Sequence, residues 1–339
     1  QGVVGILAHL GGANLNSDTT DIPATRSSAS RILTGQTADI LVAASILGAL
    51  LLWWISLPLM DPDELDDLGL VAILPWQYWT ALCVLSAGFS LSLASPRSPD
   101  LRLAALAALV VLLHATPPIV YGTLRYSWAW KHIGIVDYIQ RYGEVNRTIP
   151  FLSAYHNWPG FFWISAKLAD LFGLEPLTIA NLVRFFPVLS NFVFILLLRS
   201  LYRCFTNDAR LVYAALWMFL CANWVGQDYF SPQAFTYALY LLCLALCLGP
   251  LMPTDGPQDN RFDQWVWRTR TRLARLVPMR TVLPSWQKML AIIVVFVCFF
   301  GIVSSHQLTP IILVLSLFGL AVLTPLGFGY PILAGFTMV

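Results

Sequence analysis

The chain has 339 residues, of which 58% are hydrophobic and 11% charged, with a mean hydropathy of +0.69. Soluble domains carry about 25% charged residues, so the charge here is too sparse to cover a water-facing surface of this size. A net charge of +2 offers no basic footprint for nucleic acid. The composition implies an all-α fold, a polytopic bundle of transmembrane helices, and 13 Trp and 12 Tyr supply rings that favour membrane interfaces.

In chain order, residues 1–37 read as a polar N-terminal segment, and 38–339 as one multispanning membrane domain. A spanning helix needs roughly 20 apolar residues. Eight segments approach that: 39–60, 69–94, 103–121, 178–198, 211–226, 234–252, 289–305 and 309–326, with a ninth starting near Pro331. Beginning on Gln1 and stopping at Val339 inside a new apolar stretch, the sequence is expected to be a piece of a longer protein. The six cysteines lie in or beside the apolar runs and read as small helix residues.

The connections fix an orientation. With the N-terminus inside, 14 of the 20 Lys and Arg fall on inside segments, including the basic linker 253–288. The three short outside loops hold neither Lys nor Arg, as the positive-inside rule requires. This predicts about eight or more spans in the plasma membrane, with a cytoplasmic N-terminus. Outside lie the acidic loop Asp61 to Asp67, a long loop over 122–176, and two short loops, Gly226 to Gln233 and Ser304 to Pro310.

The long loop is patterned. Ile133, Val136, Ile139 and Tyr142 share one helical face, with Asp137 and Arg141 on another. Asn157-Trp158-Pro159-Gly160 reads as a helix start, and Phe161, Ile164, Leu168 and Leu171 follow at helical spacing up to a stop at Gly173. Helices with one apolar and one polar face lie in the interface plane. They would hold polar residues where headgroups meet water.

Four stretches carry a resemblance: Trp128 to Ile139, Tyr155-His156-Asn157-Trp158-Pro159-Gly160-Phe161-Phe162, Asn223 to Gln233, and Ser305-His306-Gln307-Leu308-Thr309-Pro310. Together they resemble the GT-C superfamily of integral membrane glycosyltransferases, in an actinobacterial type, over about 100–330. The resemblance implies a polyprenyl-phosphate sugar as donor, membrane lipids around it, and a cell-envelope glycan or protein as acceptor. It also implies a catalytic acidic residue in an external loop built from juxtamembrane helices. The loop here follows the third apolar segment rather than the first. The superfamily's acidic pair is absent near Asp137, while Asp63-Glu64 and Asp66-Asp67 offer such pairs after the first segment.

Sugar transfer needs a base for the acceptor hydroxyl and donors or positive charge for the leaving phosphate. Asp137 is the first candidate for the base; its plainer role is an i,i+4 pair with Arg141. Asp228 is a second catalytic candidate, against the simple reading of a helix end in water. Lys131, His132, His156, Asn157, Arg184, Gln227, His306 and Gln307 are candidates for holding phosphate or sugar. Arg184 could equally snorkel at the end of the fourth segment, and His114 reads as an ordinary membrane-edge residue. No metal-ligand set is evident, and a divalent metal is the one cofactor the chemistry leaves open. There is no Gly-rich nucleotide loop, His-Glu-x-x-His or Gly-x-Ser-x-Gly, which speaks against an ATP-driven pump or a common hydrolase. The competing readings are a transporter or flippase of lipid-linked sugars, a glycan polymerase or ligase, and a structural membrane subunit.

Overall fold

The computed structural model describes residues 35–94, 99–150, 152–223, 227–251, 284–323 and 335. Most of the polar N-terminal segment, the basic linker 253–288 as far as residue 283, and nearly all of the segment expected near Pro331 lie outside the described residues. Among the described residues every regular element is a helix. In chain order these are α1 (Gly35–Ser56), α2 (Trp76–Ala94), α3 (Pro99–Val110), a π turn (Val111–Ala115), α4 (Thr116–Val120), α5 (Ser127–Tyr142), α6 (Ser153–Asn157), α7 (Gly160–Phe172), α8 (Pro176–Val183), α9 (Phe186–Tyr202), α10 (Ala209–Ala222), α11 (Pro232–Leu248), α12 (Ser285–Ser305) and α13 (Thr309–Leu323).

Among the described residues each of the eight expected apolar segments contains helix, but not all have spanning length. Among the described residues three runs are long and apolar enough to cross a membrane: Gln36–Leu59, Pro99–Val120 and Ser285–Ser305. A fourth is added if α8 and α9, bent by 48° to one another, count as one. Helices α10, α11 and α13 reach 14, 17 and 15 residues. The expected span over 69–94 starts late, at Trp76. Gly69 adopts a left-handed φ of 59°, Leu70–Ile73 form a 3-10 turn, and Pro75 precedes the helix. Arg184, expected at the end of a span, sits instead at the α8–α9 bend, where it caps α8.

The described residues divide into two compact units, one of 35–122 with 209–223 and one of 123–208 with 227–323. In the first, α1 and α2 form the most extensive helix pair. Val42, Ile46, Ala49 and Trp53 are buried along α1, and Tyr78, Ala81, Leu85, Gly88 and Ser92 along α2. Steps of three and four residues make each a single seam. The opposite side of α1 exposes Ile40, Leu47, Leu51 and Trp54, each at 60% or more. A helix apolar all round belongs in lipid or inside a larger assembly.

Polar side chains in this unit bond within it. Trp53 Nε1 donates to Thr116 Oγ1 at 2.8 Å, and Tyr78 Oη donates to the Leu112 carbonyl at 2.9 Å. Arg102, buried on α3, donates through Nε to the Ser92 carbonyl and lies 5.7 Å from the Tyr213 ring centroid. Phe89 and Trp217 stack at 4.2 Å.

In the second unit, α5, α7 and α8 share one core with Phe230. Ala129, Ile133, Val136 and Ile139 meet Phe161, Phe162, Ala166, Ala169, Ile179 and Ala180 there. Helix α5 starts six residues earlier than the pattern from Ile133 suggests, and it ends on left-handed Gly143. Helix α7 buries Phe161, Phe162, Ala166 and Ala169, whereas Ile164, Leu168 and Leu171 of the expected face are exposed. Helices α9, α11, α12 and α13 complete the unit, with α11 packing against each of the other three.

At Gly88 a side chain would collide with α1, since an added Cβ falls 1.7 Å from Ser45 Oγ and 2.6 Å from Ser45 Cβ. Overpacking a tight seam costs about 1–3 kcal/mol. Gly88→Ala is therefore expected to lower stability by roughly that amount, read as the thermal midpoint in detergent. Adding Ser45→Gly should recover part of the loss; no recovery would mean the seam does not close at this pair.

Candidate functional site

The segment from Gln227 to Thr236 gathers most of the buried polar chemistry of the second unit. Ser231 caps α11, its Oγ accepting from Ala234 N–H at 3.2 Å, and Pro232 occupies the first turn, where a missing N–H is harmless. This cap fixes the backbone upstream, which carries Asp228, Tyr229 and Phe230.

Asp228 is buried. Its Oδ2 accepts from Asn191 Nδ2 at 2.8 Å, and the same amide nitrogen donates to the Pro187 carbonyl at 2.9 Å. Both amide hydrogens of Asn191 are thus used, one along its own helix and one across to the carboxylate, which fixes the amide's orientation. A carboxylate withdrawn from water needs such donors. Asn191 is fully buried on α9 and is absent from the candidates that the sequence pattern suggests. Its signal is faint: a single amide in an otherwise apolar run, four residues after a proline.

His132 is fully buried on α5. Its Nδ1 lies 2.7 Å from the Phe230 carbonyl oxygen. A carbonyl can only accept, so Nδ1 carries the proton and Nε2 keeps a lone pair. That Nε2 is buried without a hydrogen-bond partner. Around the ring stand Tyr229, parallel at 5.7 Å, Tyr155, edge-on at 5.0 Å, and Phe162 at 5.6 Å. Burial pushes His132 down to about 4, against the Phe230 hydrogen bond and with help from the Lys131 charge. Burial also raises Tyr155, and raises Tyr229 to about 12 with Tyr155 and Tyr126 nearby, so these phenols stay protonated donors.

His306 follows the end of α12. Its Nδ1 accepts from Thr309 N–H at 3.2 Å and lies 2.8 Å from Thr309 Oγ1, which puts the ring proton on Nε2. Thr309 Oγ1 is 3.3 Å from Thr236 Oγ1, so His306 is coupled to the first turn of α11. Burial lowers its pKa. The start of α7 fits closely against the end of α12: a Cβ on Gly160 would fall 2.4 Å from Ser304 Oγ and 2.6 Å from Ser305 Oγ. His132, Asp228 and His306 are therefore all tied to one ten-residue segment.

The other candidates lie apart. Asp137 is half-buried and pairs with Arg141 Nε at 2.9 Å, the plainer of its two roles. Five residues from His132, it points about 140° away around the helix. Lys131 places Nζ 3.6 Å from the Trp128 ring centroid, and Arg184 lies 5.0 Å from that of Phe185. His156 is buried, accepts the Asn146 N–H at 3.2 Å and meets Tyr138 edge-on; burial lowers its pKa. Asn157, Gln227 and Gln307 are exposed. In the first unit, Asp61 and Asp66 spend side-chain oxygens on Asp63 N–H and Leu68 N–H, as turn formers do. Among the described residues, no three His, Cys, Asp or Glu converge to hold a metal ion.

No family model, no curated protein and no solved structure matches this chain.

The His132 environment sets a pH dependence. Between about 6.5 and 4 the unfolded chain takes up a proton at this ring that the folded chain does not. Stability from the neutral ring is full above the upper value and is lost as pH falls through the window. The span corresponds to about 3 kcal/mol at most. His132→Gln is expected to flatten the fall in thermal midpoint across this window, relative to wild type. His156 and His306 are common to both proteins, so an unchanged slope would mean that His132 is not held neutral.

Proposed function

We propose that this chain is a multispanning membrane glycosyltransferase of GT-C type. It moves a sugar from a polyprenyl-phosphate donor to a cell-envelope acceptor on the outer face. In this reading the eight apolar segments span the plasma membrane with the N-terminus cytoplasmic, and α5 to α8 lie along the outer surface. The exposed apolar stripe of Ile164, Leu168, Leu171 and Phe172 on α7 supports that placement, because its other faces pack inward or carry Lys167 and Asp170.

The observation that carries the proposal is the buried Asp228 carboxylate, fixed by the Asn191 amide next to the segment that anchors His132. Asp228 serves as the general base. It takes the proton of the acceptor hydroxyl while the acceptor oxygen bonds to the sugar's anomeric carbon. The bond from that carbon to the phosphate oxygen breaks, and polyprenyl phosphate leaves. Hydrogen-bond donors would bind the departing oxygens; His306 Nε2–H, tied through Thr309 to Thr236 of the same segment, is the group proposed for that role. Asp137, held by Arg141, is the lesser candidate for base.

A second reading, a transporter of lipid-linked sugars, is favoured by the 48° break between α8 and α9, with Asn191 and Asp228 just beyond it. Broken helices with buried polar groups are a transporter device.

Sugar transfer in membranes, with a panel of labelled polyprenyl-phosphate sugars, separates the two. A positioned base contributes about 10²–10⁴-fold, so Asp228→Asn is expected to lower transfer by about that factor. Asp137→Asn should change it only a few-fold, and Asn191→Leu should fall between them. Full activity in Asp228→Asn would remove it as base. No transfer by wild type, with sugar-lipid movement across the bilayer, would establish the transporter instead.

A further inference from the structure

His132 presents a chemical oddity that the proposed mechanism does not use. Buried polar atoms are nearly always hydrogen-bonded, and each exception calls for an explanation. His132 Nε2 is such an exception, in a side chain fully withdrawn from solvent. Its ring is locked by the 2.7 Å bond from Nδ1 to the Phe230 carbonyl, so the lone pair on Nε2 has a fixed direction. The surroundings are the faces and edges of Tyr155, Phe162 and Tyr229. The nearest ammonium, Lys131 Nζ, is engaged with the Trp128 ring.

We infer that His132 Nε2 and the rings of Tyr155, Phe162 and Tyr229 form a recognition site for an uncharged sugar ring, in which one sugar hydroxyl donates to Nε2. The substrate class follows from the donor set. Nε2 offers a lone pair, so it needs a partner with a hydrogen to give, and a hydroxyl has one while a carboxylate or phosphate does not. Aromatic faces suit the C–H surface of a sugar ring and repel an anion. The phenols of Tyr155 and Tyr229 remain donors and can meet other ring oxygens. The aromatic lining thus favours a neutral hexose or pentose over a uronic acid, whose ring carboxylate it repels. Identifying that ring as the donor's sugar rests on the glycosyltransferase reading.

Access is through Tyr155. It is only half-buried, and it rides on α6, a helix of five residues. Both ends of α6 are unusual: Leu152 has φ 60°, the only positive φ at a non-glycine among the described residues, and Trp158 has φ −120° and ψ 66°. Moving Tyr155 would open one side of the His132 ring, while the Nδ1 bond to Phe230 involves neither α6 nor Tyr155.

The test measures binding to the intact protein in nanodiscs. Three probes are used: polyprenyl phosphate, the same lipid carrying a neutral hexose or pentose, and the lipid carrying a uronic acid. Wild type should bind the neutral sugar-lipid more tightly than the uronate form. His132→Gln should weaken the neutral sugar-lipid about tenfold, the loss of one hydrogen bond, while bare polyprenyl phosphate binds as before, which also shows that the variant folds. In parallel, diethyl pyrocarbonate labelling read by mass spectrometry should modify His132 slowly, and the neutral sugar-lipid should block it. Equal affinity of wild type and His132→Gln for the sugar-lipid overturns the site. So does uronate binding as tight as neutral, or a His132 that never reacts while the other histidines do. If any of these occurs while membranes still transfer sugar, the glycosyltransferase reading stands without this site. Wild type that binds no probe and transfers nothing removes both.

Discussion

Where a chain is this apolar, its backbone and its few polar side chains have little water to turn to, and each must be satisfied from within the protein. That constraint organises both units. Hydroxyls of Thr80, Ser86, Ser90 and Ser200 bond the carbonyl four residues before them. Arg102 reaches the carbonyl of Ser92, near the end of a neighbouring helix. Asn191 divides its two amide hydrogens between its own helix and Asp228, and His132 anchors itself on a backbone carbonyl. The candidate site is the place where these internal bonds crowd most closely. Its loop residues lie just before the cap of α11, where a loop must fold its own polar groups inward.

What the sequence made legible was the class of surface, more than its use. Among the described residues each of the eight apolar segments contains helix, because apolar runs of that length leave the backbone no other partner. Their limits were harder to read. Gly69 and Pro75 shorten one segment, and Phe185 with Arg184 bends another, since hydropathy registers a residue's solubility and not its φ angle. Helix α7 shows the same gap. Periodicity correctly marks Ile164, Leu168 and Leu171 as one apolar face, but the core takes the adjacent face of Phe162, Ala166 and Ala169. An apolar stripe says that a face avoids water and leaves open whether protein or lipid covers it.

The site residues divide along similar lines. His132, Asp228 and His306 were visible as polar groups near apolar ends, and all three join the Gln227 to Thr236 segment. Asp137 was visible for the same reason and faces elsewhere, because its partner four residues on is Arg141. Asn191 left only a faint trace, since its importance comes from a contact 37 residues away. Pairings at such separations are written in the packing of α9 and α11, and no local pattern reports them.

The π turn at Val111–Ala115 has an effect on its whole helix. Such a turn accommodates one residue more than an α-helical turn would, and each α-helical residue advances the face by about 100°. The helix thereby changes which side it shows along its length. Below the turn it aims Arg102 at Ser92 and Tyr213; above it, Thr116 faces Trp53. The freed Leu112 carbonyl accepts from both Tyr78 and Thr116, so the irregularity is stitched in place from two sides. The helix works as two rods joined at a fixed twist, and removing one residue here would put one end or the other out of register with its partners.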